Sequence, residues 1–134
     1  MLVEKAYAKV FGSYEAIESG LTGIALYTLT GAPYQYFCKN SSTKIDINKT
    51  WEFITENIAK NHLLTGSTEN NDRNKHMGLI SKHSYTILDS HEVIVSTKKG
   101  KKKERILKLS NPWGKYEWKG KWSENSDIWN QELK

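Results

Sequence analysis

Two side chains in this sequence can cooperate at a thiol without any long-range argument about the fold. His83 stands in "ISKHSYTIL", at the head of an alternating, branched-residue run, and Asn111 closes "RILKLSN" just before Pro112. If both runs are strands of one antiparallel hairpin, the head of the first and the tail of the second meet at the same end of the sheet. An asparagine oxygen that accepts an imidazole N–H fixes the ring's tautomer and orientation, leaving the other ring nitrogen to deprotonate a thiol. A carboxamide suits a thiolate–imidazolium pair, because orientation is needed there and extra negative charge is not. Trp113 can keep water off that bond, and Pro112 and Gly114 can fix the turn that holds it. A histidine near a strand end is also often an ordinary packed residue, so the pair needs a partner to mean more.

The obvious nucleophile is missing. Cys38 is the one cysteine, and it follows "YQYF" in a segment that reads as extended. Reactive thiols usually sit at helix amino termini, where the dipole lowers their pKa. Cys38 therefore reads as an ordinary thiol. A single cysteine also excludes an internal disulfide and a Cys-x-x-Cys zinc site, which fits a reducing, cytoplasmic setting.

The elements that must position these residues fall in two textures. Over "LVEKAYAKVFGSYEAIESG", Val3, Tyr7, Val10, Tyr14 and Ile17 recur at helical spacing, with Gly12 as an interruption and Gly20 as a stop. "GIALYTLTGAPYQYF" reads as a short helical turn, a break at Gly31–Ala32–Pro33, and an extended aromatic segment. Trp51, Ile54, Ile58 and Leu63 mark an amphipathic helix with Asn48 as its cap. The stretch "TGSTENNDRNKH" reads as a loop, and from Leu79 onward the pattern is β: "SYTILDSHEVIV", a polar "STKKGKKKE" connection, then "RILKLSN". The expected fold class is α+β, with amino-terminal helices followed by a twisted antiparallel sheet.

Composition sets limits. The 134 residues suit one domain, and 37% hydrophobic content with five Trp and seven Tyr supports a core, while warning of a face that belongs against a partner. No apolar run approaches the roughly 20 residues of a membrane span. The +5 charge concentrates in Lys98–Arg105, "KKGKKKER". At a hairpin tip such a cluster is usually a solvated turn that discourages edge pairing. The alternative is a non-catalytic module that binds a protein, an anionic lipid or a nucleic acid there. Trp113, Trp118 and Trp122 straddle an irregular segment rather than a sheet face, so core packing for at least two of them is expected over base stacking.

"LVEKAYAKVFGSYEAIESG", "HSYTILD" and "LKLSNPWGKYEWKGKWSENSDIWN" together resemble the second half of the calpain protease core, in the same order over essentially the whole chain. The resemblance is weakest through Tyr34–Met77. It implies a papain-like fold whose second subdomain is residues 1–134, with the first subdomain, which carries the cysteine, lying upstream of Met1. It also implies calcium-dependent cysteine endopeptidase activity, protein or peptide substrates and a cytoplasmic enzyme. By the same resemblance His83 is the general base, Asn111 its orienting partner, Trp113 the shielding wedge, and Gly20 and Lys82 hold substrate backbone. Glu117 and Glu124 match carboxylate ligands of a calcium ion whose other ligands lie beyond Lys134, and Glu124 stands where aspartate is usual. The sequence departs from the family at Lys82, normally glycine, at Ser84, normally alanine, and at Ala32. Without its nucleophile half the chain is expected to be inactive alone.

Overall fold

A computed structural model describes residues 2–37, 45–70, 75–97 and 100–129, in two compact units that divide at Lys44/Ile45. Cys38, Lys98 and Lys99 lie outside the described residues.

The first unit is helical. Helix α1 spans Leu2–Phe11 and buries Ala8, with the Tyr7 and Phe11 rings 4.6 Å apart on one side. It ends earlier than the periodicity predicts, because Gly12 adopts φ +105°, outside the helical region. A single 3-10 turn, Glu15–Ile17, replaces the expected continuation, and the Ser13 hydroxyl accepts from Ala16 N–H at 3.2 Å to start it. Helix α2 is longer than a turn, spanning Thr22–Thr30 and closing where the Gly31 N–H donates to Tyr27 O at 2.8 Å. Tyr34 then folds back over Gly23, where an added Cβ would lie 2.4 Å from its ring. Much of the stripe expected to pack inward is instead open: Val3 is 65% and Val10 75% exposed.

The second unit carries the sheet. Helix α3, Ile47–Ala59, is capped by Asp46 rather than Asn48: the Asp46 carboxylate accepts from Asn48 N–H at 2.9 Å and Lys49 N–H at 3.2 Å. Trp51, Ile54 and Ile58 are half-buried, whereas Leu63 is exposed beyond the helix. Strand β1, Leu64–Ser67, takes in the first three residues of the stretch read as loop; "LTGS" has too few apolar residues to signal a strand, yet it pairs antiparallel with β2, Ser84–Thr97. Strand β3, Gly100–Ser110, pairs with the other edge of β2, giving the order β1-β2-β3. Lys101–Lys103 therefore belong to β3 rather than to a loop. The register shifts between Ile87 and Asp89, a bulge that inserts Leu88 into β2.

Two clamps hold the faces of the hairpin. On one, Arg105 donates to Asn48 Oδ1 at 2.9 Å and lies 5.3 Å above the Trp51 ring, tying β3 to α3. On the other, Glu104 receives both the Lys121 ammonium and the Trp122 indole N–H, the latter at 2.9 Å, so the irregular 111–129 segment folds over the strands. Trp122 meets Trp129 edge-on at 5.0 Å and is half-buried, but Trp113 and Trp118 are exposed, contrary to the expectation that at least two of the three pack inside. Among the described apolar residues, Ala8, Tyr85 and Val93 are the buried ones. The core is thin and the exposed apolar surface large.

Candidate active site

The site forms where β2 begins and β3 ends. Thr86 pairs with Ser110, so the chain that leads into β2 and the chain that leaves β3 lie at the same end of the hairpin. His83 is 8% exposed, and its Nε2 lies 2.8 Å from Asn111 Oδ1.

The hydrogen-bond pattern decides which atoms face each other. Asn111 Oδ1 also accepts the Trp113 backbone N–H at 3.1 Å, and Asn111 Nδ2 donates to Lys115 O at 2.6 Å. Both contacts place the amide oxygen toward the imidazole, because a backbone N–H can only donate and a carbonyl can only accept. His83 Nε2 is therefore the protonated nitrogen, and in the neutral ring Nδ1 carries the lone pair. Among the described residues Nδ1 has no hydrogen-bond partner, and no buried side-chain nitrogen or oxygen is left unpaired, so Nδ1 reaches solvent. An oriented base with one nitrogen tied inward and one open outward is the result.

The turn after β3 explains how Asn111 is held. Gly114 N–H donates to Asn111 O at 3.2 Å across Asn-Pro-Trp-Gly, a sequence with Asn, Pro and Gly at the positions a type I turn favours. The side-chain bond to Trp113 N–H adds an Asx-type closure. The same turn brings the Trp113 ring to 4.4 Å from the His83 ring, tilted by 49°, while Tyr85 meets His83 edge-on at 4.9 Å. His83 thus touches two aromatic rings, one tilted and one edge-on.

Thr68, which sequence reasoning missed, pins the histidine backbone. Its hydroxyl accepts His83 N–H at 2.9 Å and donates to Ile80 O at 2.5 Å, and its own N–H donates to His83 O at 2.9 Å. The Tyr85 hydroxyl accepts Ile80 N–H at 3.0 Å and closes the network. Thr68 follows β1, the strand whose polar sequence hides it, so no local signal marked it.

The other predicted site residues make no side-chain hydrogen bond to His83 or Asn111 among the described residues. Lys82, next to His83, is exposed with φ +51°. Gly20 belongs to the first unit, and an added Cβ there would meet nothing within 4 Å. Glu117 and Glu124 are exposed, and among the described residues no group of three or more His, Cys, Asp or Glu side chains comes together. The Glu117 carbonyl is instead packed on Gly78, where an added Cβ would lie 2.0 Å from its oxygen. Two carboxylates offer fewer oxygens than the roughly six to eight calcium takes, so the described residues do not by themselves satisfy that ion. At the hairpin, a depression of about 550 Å³ is lined by Lys102, Lys103, Glu104, Arg105 and Trp122. Its cations are largely paired: Lys103 and Arg105 with Glu92, and Lys102 with Glu104.

Comparison with known proteins agrees with this architecture. The family described as calpain family cysteine protease matches residues 1–134. The chain belongs to that family. Calpain-14 of Homo sapiens is 34% identical, with the alignment covering 96% of this chain and 18% of the relative. The calpain-1 catalytic subunit of Rattus norvegicus is 33% identical over 97% of this chain and 18% of its own length. The calpain-type cysteine protease DEK1 of Arabidopsis thaliana is 34% identical over 99% of this chain but 6% of its own length. The chain thus spans less than a fifth of these curated relatives. No helix among the described residues is long and apolar enough to cross a membrane.

Proposed function

We propose that this chain is the base-bearing half of a calpain-type cysteine endopeptidase, with the thiol supplied by a separate subdomain of the same or another chain. The observation that carries the reading is the 2.8 Å bond from His83 Nε2 to Asn111 Oδ1 with Nδ1 left open. In the assembled enzyme Nδ1 takes the thiol proton, and the thiolate attacks the scissile carbonyl carbon. The imidazolium then protonates the departing amine. Water, deprotonated by the same nitrogen, hydrolyses the thioester and restores the thiol. Asn111 holds the ring through both transfers, and Trp113 excludes water from the bond that orients it.

The exposed apolar surface supports a missing partner half. At Gly20 an added Cβ would meet nothing within 4 Å, which is compatible with close approach of a substrate backbone there. Calcium dependence and a cytoplasmic setting belong to this proposal as well. Glu117 and Glu124 would supply two of the calcium ligands, with the remaining oxygens from outside the described residues. The binding-module alternative at Lys98–Arg105 has less support, because Lys102, Lys103 and Arg105 are already paired with Glu104 and Glu92.

The test is reconstitution. The chain alone is expected to hydrolyse no peptide. Joined to a thiol-bearing calpain half it gains activity, which disappears in His83→Ala. Hydrolysis by the chain alone that survives Cys38→Ser would defeat the proposal.

A further inference from the structure

Lys82 is a cation in a conformation that suits glycine. Its φ of +51° lies in the left-handed region, where a Cβ crowds the backbone. The surroundings impose that conformation: Lys82 N–H donates to Glu69 O at 3.3 Å, and the next residue is pinned to the Thr68 hydroxyl at 2.9 Å. Glycine would make this turn without crowding, yet the chain places a long side chain there. A costly backbone state directly beside a reactive group points to a use for the side chain. The residue is exposed, and among the described residues no carboxylate pairs with its ammonium, in contrast to Lys102, Lys103 and Lys121.

Resting on the assignment of His83 Nδ1 to the scissile bond, we infer that Lys82 is a specificity-determining residue that selects acidic peptides. Its four-carbon stem carries the charge roughly 6 Å from the backbone, while an extended peptide advances about 3.3–3.6 Å per residue. The ammonium therefore meets an Asp or Glu side chain within about two residues of the bond being cut. A Lys82 side chain also narrows the path over residue 82, so substrate is held there more by charge and less by close backbone approach.

The experiment compares matched peptides, Glu against Gln at positions flanking the scissile bond, with the complete protease containing its thiol-bearing half. The ion pair is solvent-exposed, so the expected Glu preference in kcat/KM is about twofold to fivefold, shrinking at high salt. Lys82→Arg keeps the preference, Lys82→Gly removes it, and Lys82→Glu reverses it. A Glu/Gln ratio unchanged by Lys82→Glu, in an enzyme that His83→Ala still silences, overturns this inference alone. Turnover that persists in His83→Ala overturns the site assignment on which it rests.

Discussion

Replacing Asn111 by alanine removes three side-chain bonds, to His83 Nε2, Trp113 N–H and Lys115 O. The three are not equal. Trp113 and Lys115 are exposed, so water takes over there, whereas His83 is 8% exposed and its Nε2–H is orphaned under an indole ring. An unsatisfied buried donor costs about 1–3 kcal/mol and each replaced bond about 0.5 kcal/mol, for a total of about 2–4 kcal/mol. The kinetic effect follows from the lost tautomer: without its acceptor the ring can rotate and carry its proton on either nitrogen. Because a positioned base contributes about 10²–10⁴ in rate, Asn111→Ala should lose about 100-fold in kcat. KM should move little, since the Asn111 side chain is engaged with His83, Trp113 and Lys115. The assay is turnover of a fluorogenic peptide by the complete protease, alongside ring nitrogen-15 shifts of His83. Asn111→Asp keeps both acceptor contacts but sets a carboxylate oxygen against Lys115 O, where Nδ2 now donates at 2.6 Å, so its loss should be intermediate. A kcat for Asn111→Ala within about threefold of the parent, or an unchanged Nε2–H tautomer, would refute the orienting role.

Thr68→Val removes the acceptor for His83 N–H and the donor to Ile80 O; a loss of about 2–3 kcal/mol is expected in chemical denaturation, largely restored by Thr68→Ser. Gly78→Ala sets a Cβ 2.0 Å from Glu117 O at φ +90°, so the denaturation midpoint should fall by the equivalent of about 1–3 kcal/mol or more; an unchanged midpoint would contradict the packing described. Lys121, then Trp122, hold the Glu104 carboxyl down from 4.5 to about 2. A depressed carboxyl stabilises above its unfolded value and ceases to as pH falls through its folded one. The clamp on the 111–129 segment should therefore weaken between about pH 4.5 and 2, reported by Trp fluorescence, and Glu104→Gln should abolish that transition.

Local sequence alone determined a good deal. Branched, alternating residues in "SYTILDSHEVIV" and "RILKLS" encode the two long strands, and antiparallel geometry then puts His83 and Asn111 at one end. The Asn-Pro-Trp-Gly turn is equally local, because Pro sets φ and Gly allows the closing bend. Family membership rests on a match over residues 1–134, the helical first unit included.

Other features were decided only by tertiary structure. Strand β1 has no strand signal; it exists because β2 offers an unpaired edge, and with it comes Thr68 to pin the histidine. The choice of Asp46 over Asn48 as cap depends on where α3 begins, which a period of 3.6 residues fixes only loosely. The lysine run reads as free charge in sequence, but strand register sets Glu92 opposite Arg105, where it pairs with Lys103 and Arg105. Which nitrogen of His83 carries its proton, and which φ Lys82 must adopt, also follow from contacts with residues distant in the chain. Periodicity reports which face a residue occupies, whereas a reactive group's protonation, orientation and strain belong to neighbours that only folding supplies.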